Sequence, residues 1–120
     1  MLNLTNKNFK ESIDSTTPIV IDFWAGWCRP CKMMGPIFEE TSKEMNNINF
    51  AKLNTEDYGD IAAEHSVMSI PTLAVFKEGK EIGRLVGGMS KEDLKSKLTE
   101  IISWTISLEI ICYRIKIFKY

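Results

Sequence analysis

The sequence predicts an α/β fold, a central mixed β-sheet flanked by helices on both faces, and three observations carry that prediction. Apolar, β-branched runs of strand length alternate with segments whose apolar residues recur at helical spacing, the pattern of β-α units with parallel pairing. Near the end, two strand-like runs are separated only by Glu78-Gly79-Lys80, a hairpin that adds antiparallel strands at one side. A length of 120 residues with 44% hydrophobic and 26% charged content suits one domain with one core, not a disordered chain.

The elements follow in order. Thr5 is placed to cap a first helix over about residues 7–13, with Phe9 and Ile13 one turn apart on one face. Ser15-Thr16-Thr17-Pro18 ends it. Pro18 to Trp24 is an almost unbroken apolar run and reads as a central strand covered on both faces, with Asp22 its polar exception. From Cys28 to about Met45 the pattern is helical, with Met33, Ile37 and Phe38 lining one side and Pro36 predicting a kink. Ile48 to Leu53 is a second strand, Asp57 to His65 a short helix, and Thr72 to Phe76 a third strand paired through the hairpin with Glu81 to Val86. Ser90-Lys91-Glu92-Asp93 resembles a capping box. It opens a last helix with Leu94, Leu98, Ile101 and Ile102 on its buried face. There is no internal repeat and no Gly/Ser/Pro linker.

Fifteen basic and sixteen acidic residues leave a formal charge of −1, so there is no electrostatic case for nucleic acid. The N-terminus lacks the basic start and apolar run of a secretory signal, and the expected location is the cytoplasm. Three cysteines do not make the disulfide framework of a secreted mini-protein.

Two of those cysteines stand in Cys28-Arg29-Pro30-Cys31, at the start of a helix that follows a buried strand. That spacing lets the sulfurs meet at bonding distance within one turn. Unpaired backbone N–H groups and the positive end of the helix dipole favour a thiolate at the first cysteine, and the thiolate is the attacking species in disulfide exchange. Cys28 is therefore the expected exposed nucleophile and Cys31 the more buried resolving thiol. A structural zinc site is the competing reading. It needs four ligands, and beyond the pair the chain offers only Cys112 and His65, so no metal is expected.

Trp27-Cys28-Arg29-Pro30-Cys31-Lys32 resembles the signature of the thioredoxin family, Trp-Cys-Gly-Pro-Cys-Lys. Asp22-Phe23-Trp24-Ala25, Gly35-Pro36, Lys52, Ser69-Ile70-Pro71-Thr72 and Val86-Gly87 fall in the same order and spacing. The resemblance covers about residues 1–102, leaving 103–120 as an apolar and basic extension. It implies the thioredoxin fold and a protein-disulfide reductase without a bound cofactor, recycled by a thioredoxin reductase and acting on disulfide-bearing proteins. It implies that Pro71 is a cis-proline facing the dithiol, leaving the backbone of Ile70 to pair with an extended substrate. Asp22 would be the buried carboxylate that takes the proton from Cys31, with Lys52 as its neighbour. Trp27, Ile70, Gly87 and Met89 would form an apolar collar around Cys28, with Trp24 packing beneath.

Two features depart from the family. Arg29 replaces the glycine between the cysteines and, with Pro30 and Lys52, counts as a modulating residue: a cation beside Cys28 favours the thiolate and so a less reducing pair. That charge leaves a disulfide oxidase or isomerase of the same fold as an alternative, beside a binding or holdase module. The extension is too short and too charged to span a bilayer. It reads as a helix extension or added strand, as a membrane- or partner-binding segment with Arg114, Lys116 and Lys119 among aromatics, or as an unselected extension, which its Ile/Lys/Tyr/Phe bias favours. Cys112 lies in it with no assigned role.

Overall fold

The computed structural model describes the backbone of residues 1–118 and the side chains of residues 1–106. In chain order the elements are β1 (Leu2–Asn3), α1 (Phe9–Ile13), β2 (Ile19–Trp24), α2 (Arg29–Glu44), β3 (Asn49–Asn54), α3 (Gly59–Glu64), β4 (Thr72–Lys77), β5 (Lys80–Val86) and α4 (Lys91–Phe118). The five strands form one sheet in the order β1-β3-β2-β4-β5. β3 pairs parallel with β1 and β2, whereas β4 pairs antiparallel with β2 and β5. The mixed sheet is the predicted one.

Alternation along the strands divides the core into two layers. Ile19, Ile21 and Phe23 of β2 join Ala51, Leu53, Ala74 and Phe76 in a cluster with Phe9 and Ile13 of α1 and Ile61 and Ala62 of α3. Val20, Leu73 and Val75 face the other way, against Met34 and Phe38 of α2 and Leu94 and Leu98 of α4. Asp22 and Lys52 share the parity of this second layer and lie opposite each other in the β2–β3 register. The sheet therefore delivers both charged groups to the face that α2 covers.

Three local readings change. β1 was not foreseen. It is two residues long, with both side chains exposed, and is held by its register on Ala51 and Lys52; the Leu4 N–H then donates to the Lys52 carbonyl at 2.7 Å. The first helix begins at Phe9, and Asn8 before it makes no side-chain capping bond; the capping contacts are those of Thr5, whose Oγ1 accepts the Lys7 N–H at 3.1 Å and whose N–H donates to Asn8 Oδ1 at 2.6 Å. On α2 the buried residues are Cys31, Met34, Phe38 and Thr41, steps of three and four. Met33 lies off that stripe and is 71% exposed, and Ile37 is only partly buried. Pro36 lies inside α2, where the sequence places it.

The hairpin turn takes positive φ at Glu78 and Gly79 (53° and 80°), a conformation glycine adopts without a steric penalty. The N–H groups of these two residues donate to the carbonyls of Ser15 and Ile13, pinning the turn to the end of α1. At the start of α4, Ser90 Oγ accepts the Asp93 N–H at 3.2 Å, as its capping role requires. Lys91 reaches Glu40 and Glu44 at 3.1 Å, and Lys95 reaches Glu44 at 3.5 Å, tying α4 to α2. The backbone continues helical from 103 to 118, with Trp104 and Ile106 exposed. The side chains of 107–120, Cys112 and the basic residues of the extension among them, lie outside the described residues.

Candidate active site

β2 ends at Trp24, and the turn Ala25-Gly26-Trp27 delivers the chain to α2. Two contacts hold that turn: the Cys28 N–H donates to the Ala25 carbonyl at 3.2 Å, and the Gly26 N–H donates to Glu56 Oε1 at 2.7 Å. Cys28 is itself the N-cap of α2, with extended backbone, and its sulfur accepts the Cys31 N–H at 3.3 Å. Arg29 and Pro30 occupy the first helical positions, where a proline gives up no helix hydrogen bond. Cys28 and Cys31 are joined as a disulfide with their Cα atoms 5.3 Å apart.

The expected difference in exposure between the two sulfur residues is absent: each is 4% exposed. Both pack with Ala25, Trp24 and Ile70 in one small cluster, which shields Cys28 as fully as Cys31. The asymmetry lies in what each cysteine faces. Cys28 opens on an outer groove of about 510 Å³, whose walls include Trp27, Arg29, Val67, Met68 and Ile70. Cys31 opens on an inner cleft of about 290 Å³, shared with Asp22, Lys52, Trp24 and Glu39.

The Ile70–Pro71 peptide bond is cis, and the Ile70 carbonyl oxygen lies 3.8 Å from Cys28 Sγ. In the dithiol form a Cys28 S–H could donate to that oxygen. Pro71 is buried. Gly87, at φ +91°, gives its N–H to the Pro71 carbonyl at 2.9 Å, and the space where a side chain would stand on it is open. Met89 is half-buried and packs against the core layer beneath α2 and α4.

Within the inner cleft, Asp22 is 1% exposed, and its Oδ1 has no hydrogen-bond partner among the described residues. The buried indole Nε1 of Trp24, on the same cleft, likewise has none. Burial raises the Asp22 carboxyl from 3.8 to about 6, and the Lys52 charge only partly opposes this. Asp22 and Cys31 thus line one cleft, of a size that admits water.

Sequence reasoning thus named Trp27, Cys28, Arg29, Pro30 and Ile70 on the groove, and Cys31, Asp22 and Lys52 on the cleft. It missed Met68, which is 92% exposed and lines the same groove as Trp27, and it missed Val67, Ser69 and Thr55. Their only signal was position, immediately before the cis-proline or at the end of β3. His65, the nitrogen donor weighed for a metal, has its ring packed against Phe9 and Phe76, with centroids 5.1 and 5.3 Å away.

Compared with protein families, residues 1–100 match the one described as Thioredoxin. The chain belongs to the thioredoxin family. It is 42% identical over 105 residues to the thioredoxin of Buchnera aphidicola, covering 86% of this chain and 97% of that one. It is 37% identical over 102 residues to the thioredoxin of Alicyclobacillus acidocaldarius, with 84% and 97% covered. Among solved structures it resembles Malassezia sympodialis thioredoxin (Mala s 13), with a TM-score of 0.76 and 33% identity over 82% of this chain and 90% of that one. The fold is the thioredoxin fold, and the Cys28–Cys31 pair is that of a thiol–disulfide oxidoreductase.

Proposed function

We propose that this chain reduces protein disulfides through a Cys28-linked intermediate and is returned to the dithiol by a thioredoxin reductase. The observation that supports the reading most is the opening of the two sulfur residues onto different spaces, one toward substrate and one toward a buried base. In the first step the Cys28 thiolate attacks one sulfur of the substrate disulfide. The substrate S–S bond breaks, its second sulfur leaves with the electron pair and takes a proton, and Cys28 is joined to substrate. Asp22 then takes the proton from Cys31, directly or through water in the cleft. The Cys31 thiolate attacks Cys28, the mixed disulfide breaks, and the second substrate thiol is released. Two electrons have passed to the substrate, and the Cys28–Cys31 disulfide is the oxidised product.

The other residues support these steps. The Cys31 N–H and the start of α2 favour thiolate at Cys28. Trp27 and Ile70 hold an extended substrate segment over the groove, and Pro71, which lacks an N–H, leaves the neighbouring backbone to that segment. Gly87 holds Pro71 through its N–H and borders the substrate segment, Lys52 stabilises ionised Asp22, and Arg29 with Pro30 tunes the pair. Residues 1–102 form the working domain and 103–120 an extension to it. The site of action is the cytoplasm; no helix among the described residues is long and apolar enough to cross a membrane.

Trapping with an oxidised protein substrate tests the order of attack. Cys31→Ser should accumulate a mixed disulfide through Cys28, visible by mass spectrometry, and Cys28→Ser should accumulate none. Adducts carried by Cys31 in the Cys28→Ser variant, at the parent rate, would contradict the assignment.

A further inference from the structure

The groove beside Cys28 carries a charge that its helix does not favour. Arg29 is exposed at the first helical position of α2, where the helix dipole disfavours a cation, and no acidic residue occupies that first turn. Among the described residues it forms no hydrogen bond or ion pair, unlike Arg84, Lys91 and Lys95. It is the one charged side chain on the groove wall. Glu56 is engaged by the Gly26 N–H at 2.7 Å and is not paired with Arg29. Around Arg29 the groove offers an exposed indole, Trp27, and an exposed thioether, Met68. Both make adaptable apolar contacts that accept many side chains.

We propose that Arg29 is a specificity-determining residue that selects disulfides whose attacked cysteine has a carboxylate neighbour in an extended peptide segment. The proposal rests on the reductase reading above and adds a substrate class to it. The physical reason is local. A carboxylate next to the substrate sulfur repels the incoming Cys28 thiolate, and an unpaired guanidinium beside Cys28 replaces that repulsion with an ion pair. A substrate cation at the same place meets Arg29 as a like charge. The chain as a whole carries a formal charge of −1, so long-range steering is weak and the local charge decides. The reaction is the two-electron reduction already described, with the Cys28–Cys31 dithiol as reductant.

The test uses the pre-reduced full chain and disulfide-linked dimers of blocked peptides, each with a central cysteine flanked by Glu, Gln or Lys. Single-turnover rates at low ionic strength are divided by each peptide's rate with dithiothreitol, which removes intrinsic differences between the peptides. The expected normalised rate is about two- to fivefold higher for the Glu peptide than for the Lys peptide, the range of an exposed charge pair. The preference should fall toward one in 1 M salt and in Arg29→Gly and Arg29→Gln, and reverse in Arg29→Glu. Comparing ratios within each variant cancels any change that Arg29 makes to the nucleophile itself. Equal rates for the three peptides, or a preference that survives in Arg29→Gly, would overturn the proposal while leaving the reductase reading intact. Failure to reduce even the Gln peptide would overturn both.

Discussion

Asp22 lies in the sheet face beneath α2 with an unpartnered oxygen, and its carboxyl is raised from 3.8 to about 6 by burial. The unfolded chain therefore gives up this proton at lower pH than the folded chain. The stability that protonated Asp22 contributes is fully present below the unfolded value of 3.8 and is lost as the pH rises through about 6. Above that, the ionised buried carboxylate costs about 3 kcal/mol. Asp22→Asn should consequently be more stable than the parent at pH 8 by up to about 3 kcal/mol, with little difference near pH 4, as urea titrations at the two pH values will read. The same substitution should slow the release of substrate from Cys28 by about 10²-fold at pH 7, the usual loss when a general base is removed. In the parent that step should slow as the pH falls below about 6, because a protonated Asp22 accepts nothing. A stability gain without the kinetic loss would leave Asp22 a structural residue only. Arg29 acts on the other sulfur: by favouring thiolate it stabilises the reduced form, so Arg29→Gly should have a more negative midpoint potential. An equal or less negative value would contradict that.

At the scale of elements, β5 and α4 fit tightly at Gly83. A Cβ at Gly83 would meet Ile101 at Cδ1, Cγ2 and Cγ1, at 2.7, 2.8 and 2.9 Å. Ile101 is β-branched, so these three atoms cannot swing clear together. Gly83→Ala should destabilise the fold by about 1–3 kcal/mol, measured by urea unfolding; a neutral result would mean that α4 shifts freely on the sheet. Most elements were legible because their periods are strong: β2 and β4 read as buried runs, and Leu94 and Leu98 of α4 stand one turn apart and fully buried. β1 was not legible, because a two-residue strand has no period and is fixed by its neighbour's register. Met33 and Met34 differ only in phase, and one helical step decides which is buried. The disulfide pair and Asp22 were readable from residue type and context. Met68 was harder, since its place on the groove comes from the loop before Pro71 and not from any period.

Over the whole molecule, the site gathers four separate stretches: the end of β2, the start of α2, the segment around Pro71, and Lys52 of β3. The central β2 places Asp22 beneath α2, α2 sets Cys28 and Cys31 one turn apart, and the antiparallel β4 brings Ile70 and Pro71 to the same end of the sheet. Reducing power is the property this arrangement has to produce. Its most direct measure is the midpoint potential of the Cys28–Cys31 pair, titrated against dithiothreitol or glutathione on the full-length chain carrying Cys112→Ser. The account predicts a midpoint near the thioredoxin value of about −270 mV; a midpoint above about −200 mV, in the range of isomerases and oxidases, would contradict it.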